Sequence, residues 1–160
     1  MKRILYLIMA MCLLLNLNAC TAGKEKFTVD SFAAEVNISA SDDSYKGILT
    51  FGNESDMTLT LVEPTEISDL TFVFKNGKHS LIADDVIAEN IFLTENSPAA
   101  VLFDALRLIS REKPEIGSGS EVIITLDYKG KQYYYTLNSE NKTIKSIICD
   151  SFEYDLIYIS

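Results

Sequence analysis

Few side chains in this sequence are of the kind that perform chemistry, and their spacing gives them little to work with. His79 is the only histidine in 160 residues. As a metal ligand it would need a second His or a Cys to join it, and none is available. Placed just after an Asn76-Gly77 turn, it reads as a solvated strand residue rather than a general base. Asp84-Asp85 has the composition of a carboxylate pair, but neighbours on a strand point to opposite faces, so a solvated loop is the expectation there. Glu63 and Glu66 flank Pro64 and read as turn polarity. Tyr133-Tyr134-Tyr135 offers either a stacking platform for a ligand or plain packing. Alternation sends Tyr133 and Tyr135 one way and Tyr134 the other, and tyrosine is a good strand former with a polar tip. There is no Gly-rich phosphate loop, nucleophile elbow or Ser/His/Asp frame, and Gly117 and Gly119 sit in a linker. The expectation is a protein that is not an enzyme and uses no metal or cofactor.

Cys20 differs because of what stands before it. Met1-Lys2-Arg3 is a short basic start, Ile4 to Leu17 is a nearly unbroken apolar run, and Leu17-Asn18-Ala19 leads into the cysteine. A basic, then apolar, then small-residue order describes a secretory signal peptide. A run of about 14 residues is short against the ~20 that a spanning helix needs. The ending Leu17-Asn18-Ala19-Cys20 resembles a bacterial lipobox. That resemblance implies cleavage before Cys20, so that residues 1–19 are the signal peptide and Cys20 is lipidated. Two or more acyl chains, at ~0.8 kcal/mol per buried methylene, anchor stably where one does not. Residues 20–26 then read as a lipidated tether of at most ~20 Å between bilayer and domain, and residues 27–160 as the domain.

Composition bounds the partners. The chain has 14 basic and 23 acidic side chains, net −9; with Lys2 and Arg3 removed, 12 face 23, a net −11. That balance argues against nucleic acid and against charge-driven docking on anionic headgroups. Cys12 leaves with the signal and Cys20 carries lipid, so Cys149 has no partner for a disulfide. Its setting, Ile147-Ile148-Cys149, marks it as a small buried hydrophobe. Stability must come from packing, for which 48% hydrophobic residues suffice.

The elements that would position any site are mostly strands. A period of two begins at Phe27–Ser41, with Phe32, Ala34, Val36 and Ile38 on one parity. It continues through Tyr45–Phe51, a Gly52-Asn53 turn, Met57–Leu61 ended by Pro64, Leu70–Phe74, the Asn76-Gly77 turn and His79–Ala83. Asn-Gly between apolar runs is a strong hairpin signal because both turn residues need positive φ. Val122–Tyr128, Tyr133–Leu137, Ile144–Cys149 and Phe152–Tyr158 form a four-stranded meander. One segment breaks the period. Ser97 can cap a helix and Pro98 is pre-set for its first turn; Val101, Leu102, Ala105, Leu106 and Ile109 then share a face, and Phe103 and Leu108 widen it. Such a helix must be covered on most sides. It should end before Pro114, with Glu115–Ser120 as a flexible connection.

The expected fold is therefore α+β: a strongly curved antiparallel sheet, an unclosed β-barrel, wrapped around one apolar helix. In order and layout the chain resembles the LolA/LolB/LppX-like group of lipoprotein carriers and lipid-binding lipoproteins, and within it the lipobox-bearing members in Firmicutes. The features that carry this are YKGILTF (45–51), MTLTLVEP (57–64), LTFVFKNGKHSLI (70–82), the helix at 97–111 and the final meander. The soluble carrier of that group begins with an amphipathic helix and has no anchor, whereas this chain has the lipobox and little room for that helix. No functional residue of the group is matched to a position here. The resemblance implies an apolar cavity between sheet and helix. From the residues themselves, Leu59, Leu61, Phe72 and Phe74 are expected on one sheet face opposite Leu102, Leu106 and Ile109. Leu59, Phe72, Phe74, Leu102, Leu106 and Ile109 are the candidate ligand-binding residues. The expected function is an envelope lipoprotein, anchored on the extracytoplasmic face of the cell membrane, that binds a lipid or other hydrophobic ligand without catalysis. With Thr21 after the cysteine, the outer membrane is the expected location in a Gram-negative cell. The alternative is a ligand-free module that contacts an envelope protein partner.

Overall fold

Alternating apolar and polar residues place one face of nearly every strand inward, and ten such strands join edge to edge. The computed structural model describes residues 25–117 and 119–159; the signal segment, Cys20 and most of the tether lie outside the described residues. The strands are β1 (Glu25–Lys26), β2 (Phe32–Ala40), β3 (Asp43–Asn53), β4 (Asp56–Glu63), β5 (Thr71–Lys75), β6 (Lys78–Ala83), β7 (Val86–Ile91), β8 (Glu115–Ile116), β9 (Glu121–Tyr128), β10 (Lys131–Asn138), β11 (Thr143–Cys149) and β12 (Phe152–Tyr158). The helix, α1, spans Pro98–Glu112. The large sheet runs β7-β6-β5-β4-β3-β2-β12-β11-β10-β9, every neighbouring pair antiparallel. Two meanders are thus joined through β2 and β12, where Val36 faces Leu156 and Ile38 faces Tyr154. The order does not return from β7 to β9, so the barrel stays open along that seam. This is the α+β half-barrel expected from the sequence.

The helix fills the concavity. Ala99, Val101, Leu102, Phe103, Ala105, Leu106, Leu108 and Ile109 are all buried, which is why a single sheet must wrap so far around it. Its ends obey local rules. The Ser97 hydroxyl accepts a hydrogen bond from the Ala100 N–H at 3.2 Å. Lys113 adopts φ 45° at the C-terminal end, and its N–H donates to the Ile109 carbonyl at 3.1 Å before Pro114 stops the helix. Two tyrosines of the sheet fix its position. The Tyr135 hydroxyl donates to the Ala105 carbonyl and the Tyr154 hydroxyl to the Pro98 carbonyl, both at 2.9 Å. Burial pushes both hydroxyls well above the ordinary tyrosine range, so they remain protonated donors.

Several local expectations are corrected. The first long strand begins at Phe32, not Phe27; Phe27 instead plugs the core at 0% exposure while its N–H donates to the Pro114 carbonyl. Gly52-Asn53 is not the turn: β3 runs through both with a register shift, and the Asn53 side chain turns the chain by accepting from the Ser55 N–H. Glu115-Ile116 is not a free connection, because it pairs with Glu25-Lys26 as a two-stranded ribbon. β7 was not expected at all. The Asn76-Gly77 turn does have both residues at positive φ, 50° and 80°. Tyr133 and Tyr135 are buried while Tyr134 is exposed, and Cys149 is a buried free thiol.

The packing predicts a graded response to mutation. Leu106→Ala, at a fully buried position, should destabilise by about 2–5 kcal/mol. Tyr135→Phe, which removes one hydrogen bond and keeps the ring, should cost about 1 kcal/mol. Urea unfolding checks both, and equal costs would mean that the tyrosine pin matters as much as the core itself.

Candidate functional site

Where the start of α1 leaves the sheet, coverage is incomplete. There β2 contributes Ile38, β4 contributes Leu59 and Leu61, and β5 contributes Phe72; Ile67 and Leu70 come from the short turn between β4 and β5, and Ser97, Pro98 and Ala99 from the helix entry. Together with Tyr45 they enclose about 180 Å³. Leu59 and Phe72 face each other directly across β4 and β5. The walls are almost wholly apolar, and the Ser97 oxygen already accepts its helix-capping bond. Such a space gains energy from an apolar occupant and offers a polar one little compensation. Pockets for drug-sized ligands run about 300–1,000 Å³. This one is smaller, so it suits the end of a chain rather than a whole lipid.

A second pocket, of about 290 Å³, opens at the seam of the half-barrel. Phe74 and His79 face each other across β5 and β6, the helix supplies Ala100, Asp104 and Arg107, and the β9–β10 turn supplies Lys129. Asp104 accepts from both cations, from Lys129 at 3.0 Å and from Arg107 at 3.4 Å. The hydrogen bond to Asp104 holds the Lys129 ammonium above its ordinary value. The Arg107 guanidinium lies 4.8 Å from the centre of the Phe74 ring, a cation–π distance. His79 is half-buried. Its ring lies 4.9 Å from Phe74 and 6.3 Å from Phe103, nearly parallel to the latter at 10°, and its Nδ1 is buried without a hydrogen-bond partner. The expectation of a solvated histidine is thus overturned: the ring turns toward the concave face. Burial pushes the imidazole below its ordinary 6.5; Asp104 opposes that shift, and Arg107 and Lys129 add to it.

The six candidate ligand-binding residues divide among three places. Leu59 and Phe72 line the apolar pocket. Phe74 lines the seam pocket. Leu102, Leu106 and Ile109 lie at 0% exposure in the core, packed with Leu59, Leu61 and Phe74. The pocket also takes Ile67 and Leu70 from an irregular segment that no periodicity marks. Asp84 and Asp85 are exposed in the β6–β7 turn, as expected. Among the described residues no group of acids, histidines and cysteines is arranged to hold a metal, and no helix is long and apolar enough to cross a membrane.

No family model matches the chain, and no curated protein matches it. Among solved structures, a LolA superfamily protein from Nitrosomonas europaea is similar at 12% identity and a TM-score of 0.42, over 84% of this chain and 87% of that one.

The depressed His79 has a signed consequence. Below 6.5 the unfolded chain takes up a proton that the folded one resists, so this contribution is intact above 6.5 and is lost as pH falls through the lower native value. His79→Phe should therefore lose less stability than the parent between pH 7.5 and 5.5. At pH 7.5 it should be as stable or more so, because the unpartnered nitrogen goes with the ring. Urea midpoints at the two pH values measure this; parallel losses in both proteins would refute it.

Proposed function

We propose that this chain is an envelope lipoprotein, lipidated at Cys20 and held at the extracytoplasmic face of a membrane, that buries part of a lipid or another hydrophobic ligand without catalysis. The observation that carries the reading is the apolar pocket of about 180 Å³ between the helix entry and the concave face, with Leu59 and Phe72 in its wall. At ~25 cal/mol per Å² of apolar surface, the end of an acyl chain buried there gains several kcal/mol. A tether of a few residues would keep that pocket close to the bilayer that supplies the ligand.

A second reading rests on a different observation. On the convex face Tyr134 and Ile148 are directly opposite each other, at 42% and 40% exposure, and Ile123 lies diagonal to Tyr134 at 71%. Exposed apolar groups clustered in this way mark interaction surfaces, and they support contact with an envelope protein.

Native mass spectrometry of residues 24–160, purified from cells without detergent, separates the two. The expected result is a reproducible added lipid mass that Phe72→Asp abolishes while circular dichroism stays unchanged. A bare polypeptide that remains bare after lipid is offered would leave the convex-face reading standing instead. Lipidation has its own test: Cys20→Ala should stay unprocessed and leave the membrane fraction.

A further inference from the structure

The seam pocket is chemically unlike the apolar one, and nothing in the acyl-chain reading uses it. One side is apolar: Phe74, Leu93, Ala100 and Phe92, the last 96% exposed. The other side brings two cations, Arg107 and Lys129, to a single carboxylate, Asp104. Glu95, exposed, also lines the pocket, and its charge acts on Lys129, so an incoming anion competes with it for the ammonium. Among the described residues Arg107 donates one hydrogen bond, and that one is long, at 3.4 Å. Its guanidinium has five N–H donors and lies over the Phe74 ring at 4.8 Å. Lys129 spends one of its three donors on Asp104. Donors to spare beside an apolar wall make a site with two requirements, an anionic group and a greasy body.

From this juxtaposition we infer that the seam pocket binds a small organic anion, a carboxylate carried on a short apolar chain. The carboxylate lies against Arg107 and Lys129, where the guanidinium fork matches its geometry. The chain lies along Phe92, Leu93 and Phe74 and removes the most exposed aromatic ring from water. A volume of about 290 Å³ holds roughly ten water-sized groups at about 30 Å³ each, enough for a six- to eight-carbon acid. An inorganic anion would leave the apolar wall wet, and an uncharged chain would leave the spare donors unused.

The single histidine makes a direct test. His79 shares the pocket with both cations, so an anion placed on them should make its protonation easier. The full chain, held in phosphatidylcholine nanodiscs and labelled with ¹³C at histidine, gives one imidazole signal to follow by NMR. Hexanoate should bind saturably and raise the His79 midpoint by about one pH unit, while hexanamide, of equal length but uncharged, leaves it unchanged. Arg107→Gln should weaken hexanoate binding about tenfold. Lys129→Gln, at an exposed turn position, should do the same and guards against a folding defect in the first variant. Oleate loaded into the disc distinguishes a membrane-borne carboxylate from a dissolved one: a response to hexanoate, with or without oleate, supports the site, and a response to oleate alone overturns the short-chain assignment. Hexanamide binding as well as hexanoate, inorganic phosphate giving the same rise at the same concentration, or both carboxylates failing to saturate would each overturn the assignment. These outcomes are independent of whether the apolar pocket holds a lipid.

Discussion

The rest of the structure depends on the need to cover one helix that is apolar on most of its surface. Eight side chains of α1 are buried, and the six larger ones, Val101, Leu102, Phe103, Leu106, Leu108 and Ile109, are each worth roughly 1.5–3 kcal/mol when removed from water. A second helix would share that task in a bundle; here a sheet performs it alone. A flat sheet covers one side of a cylinder only, so the strands must twist and curl until they reach around it. Ten strands are the result, and the two buried tyrosine hydroxyls bonded to helix carbonyls set the depth and register at which the helix sits.

The same constraint explains where the candidate sites lie. Coverage is complete along the middle of the helix, where Leu102, Leu106 and Ile109 have no solvent exposure. It thins at the entry, where Ser97 and Pro98 leave an unfilled space against β2, β4 and β5, and along the seam, where β7 and β9 do not meet. The first gap inherits apolar walls because it is an unfilled piece of core. The second collects Asp104 and Arg107 from the polar side of the helix and Lys129 from the β9–β10 turn. One geometric shortfall thereby yields two pockets of opposite chemistry.

Much of this was legible from residue order. Clean alternation in 57–61 and 133–137, and the Ser97-Pro98 opening followed by apolar residues at helical spacing, placed strands and helix within a residue or two. β7 was invisible because Val86-Ile87-Ala88-Glu89-Asn90-Ile91 does not alternate: an outer strand with two exposed apolar residues at its start has no buried face to enforce a period. His79 was misplaced although the signal existed. A two-residue Asn76-Gly77 turn pairs position 75 with 78 and 74 with 79, so an inward Phe74 requires an inward His79. Leu59 and Phe72 were placed on the concave face by parity alone. Ile67 and Leu70 reach the same pocket from a turn, whose side-chain directions depend on tertiary context and not on any repeat.

The small ribbon at the N-terminal end has a mechanical meaning. Glu25-Lys26 pairs with Glu115-Ile116, Phe27 is sunk in the core beside it, its amide is bonded to Pro114, and Lys142 forms an ion pair with Glu25. A load applied from the N-terminal side therefore enters the domain through the segment that follows α1, not through the first strand of the large sheet. The ribbon acts as a strain relief: a few short bonds must fail, and Phe27 must be drawn out, before any tension reaches the ladder between β2 and β12 that holds the two meanders together.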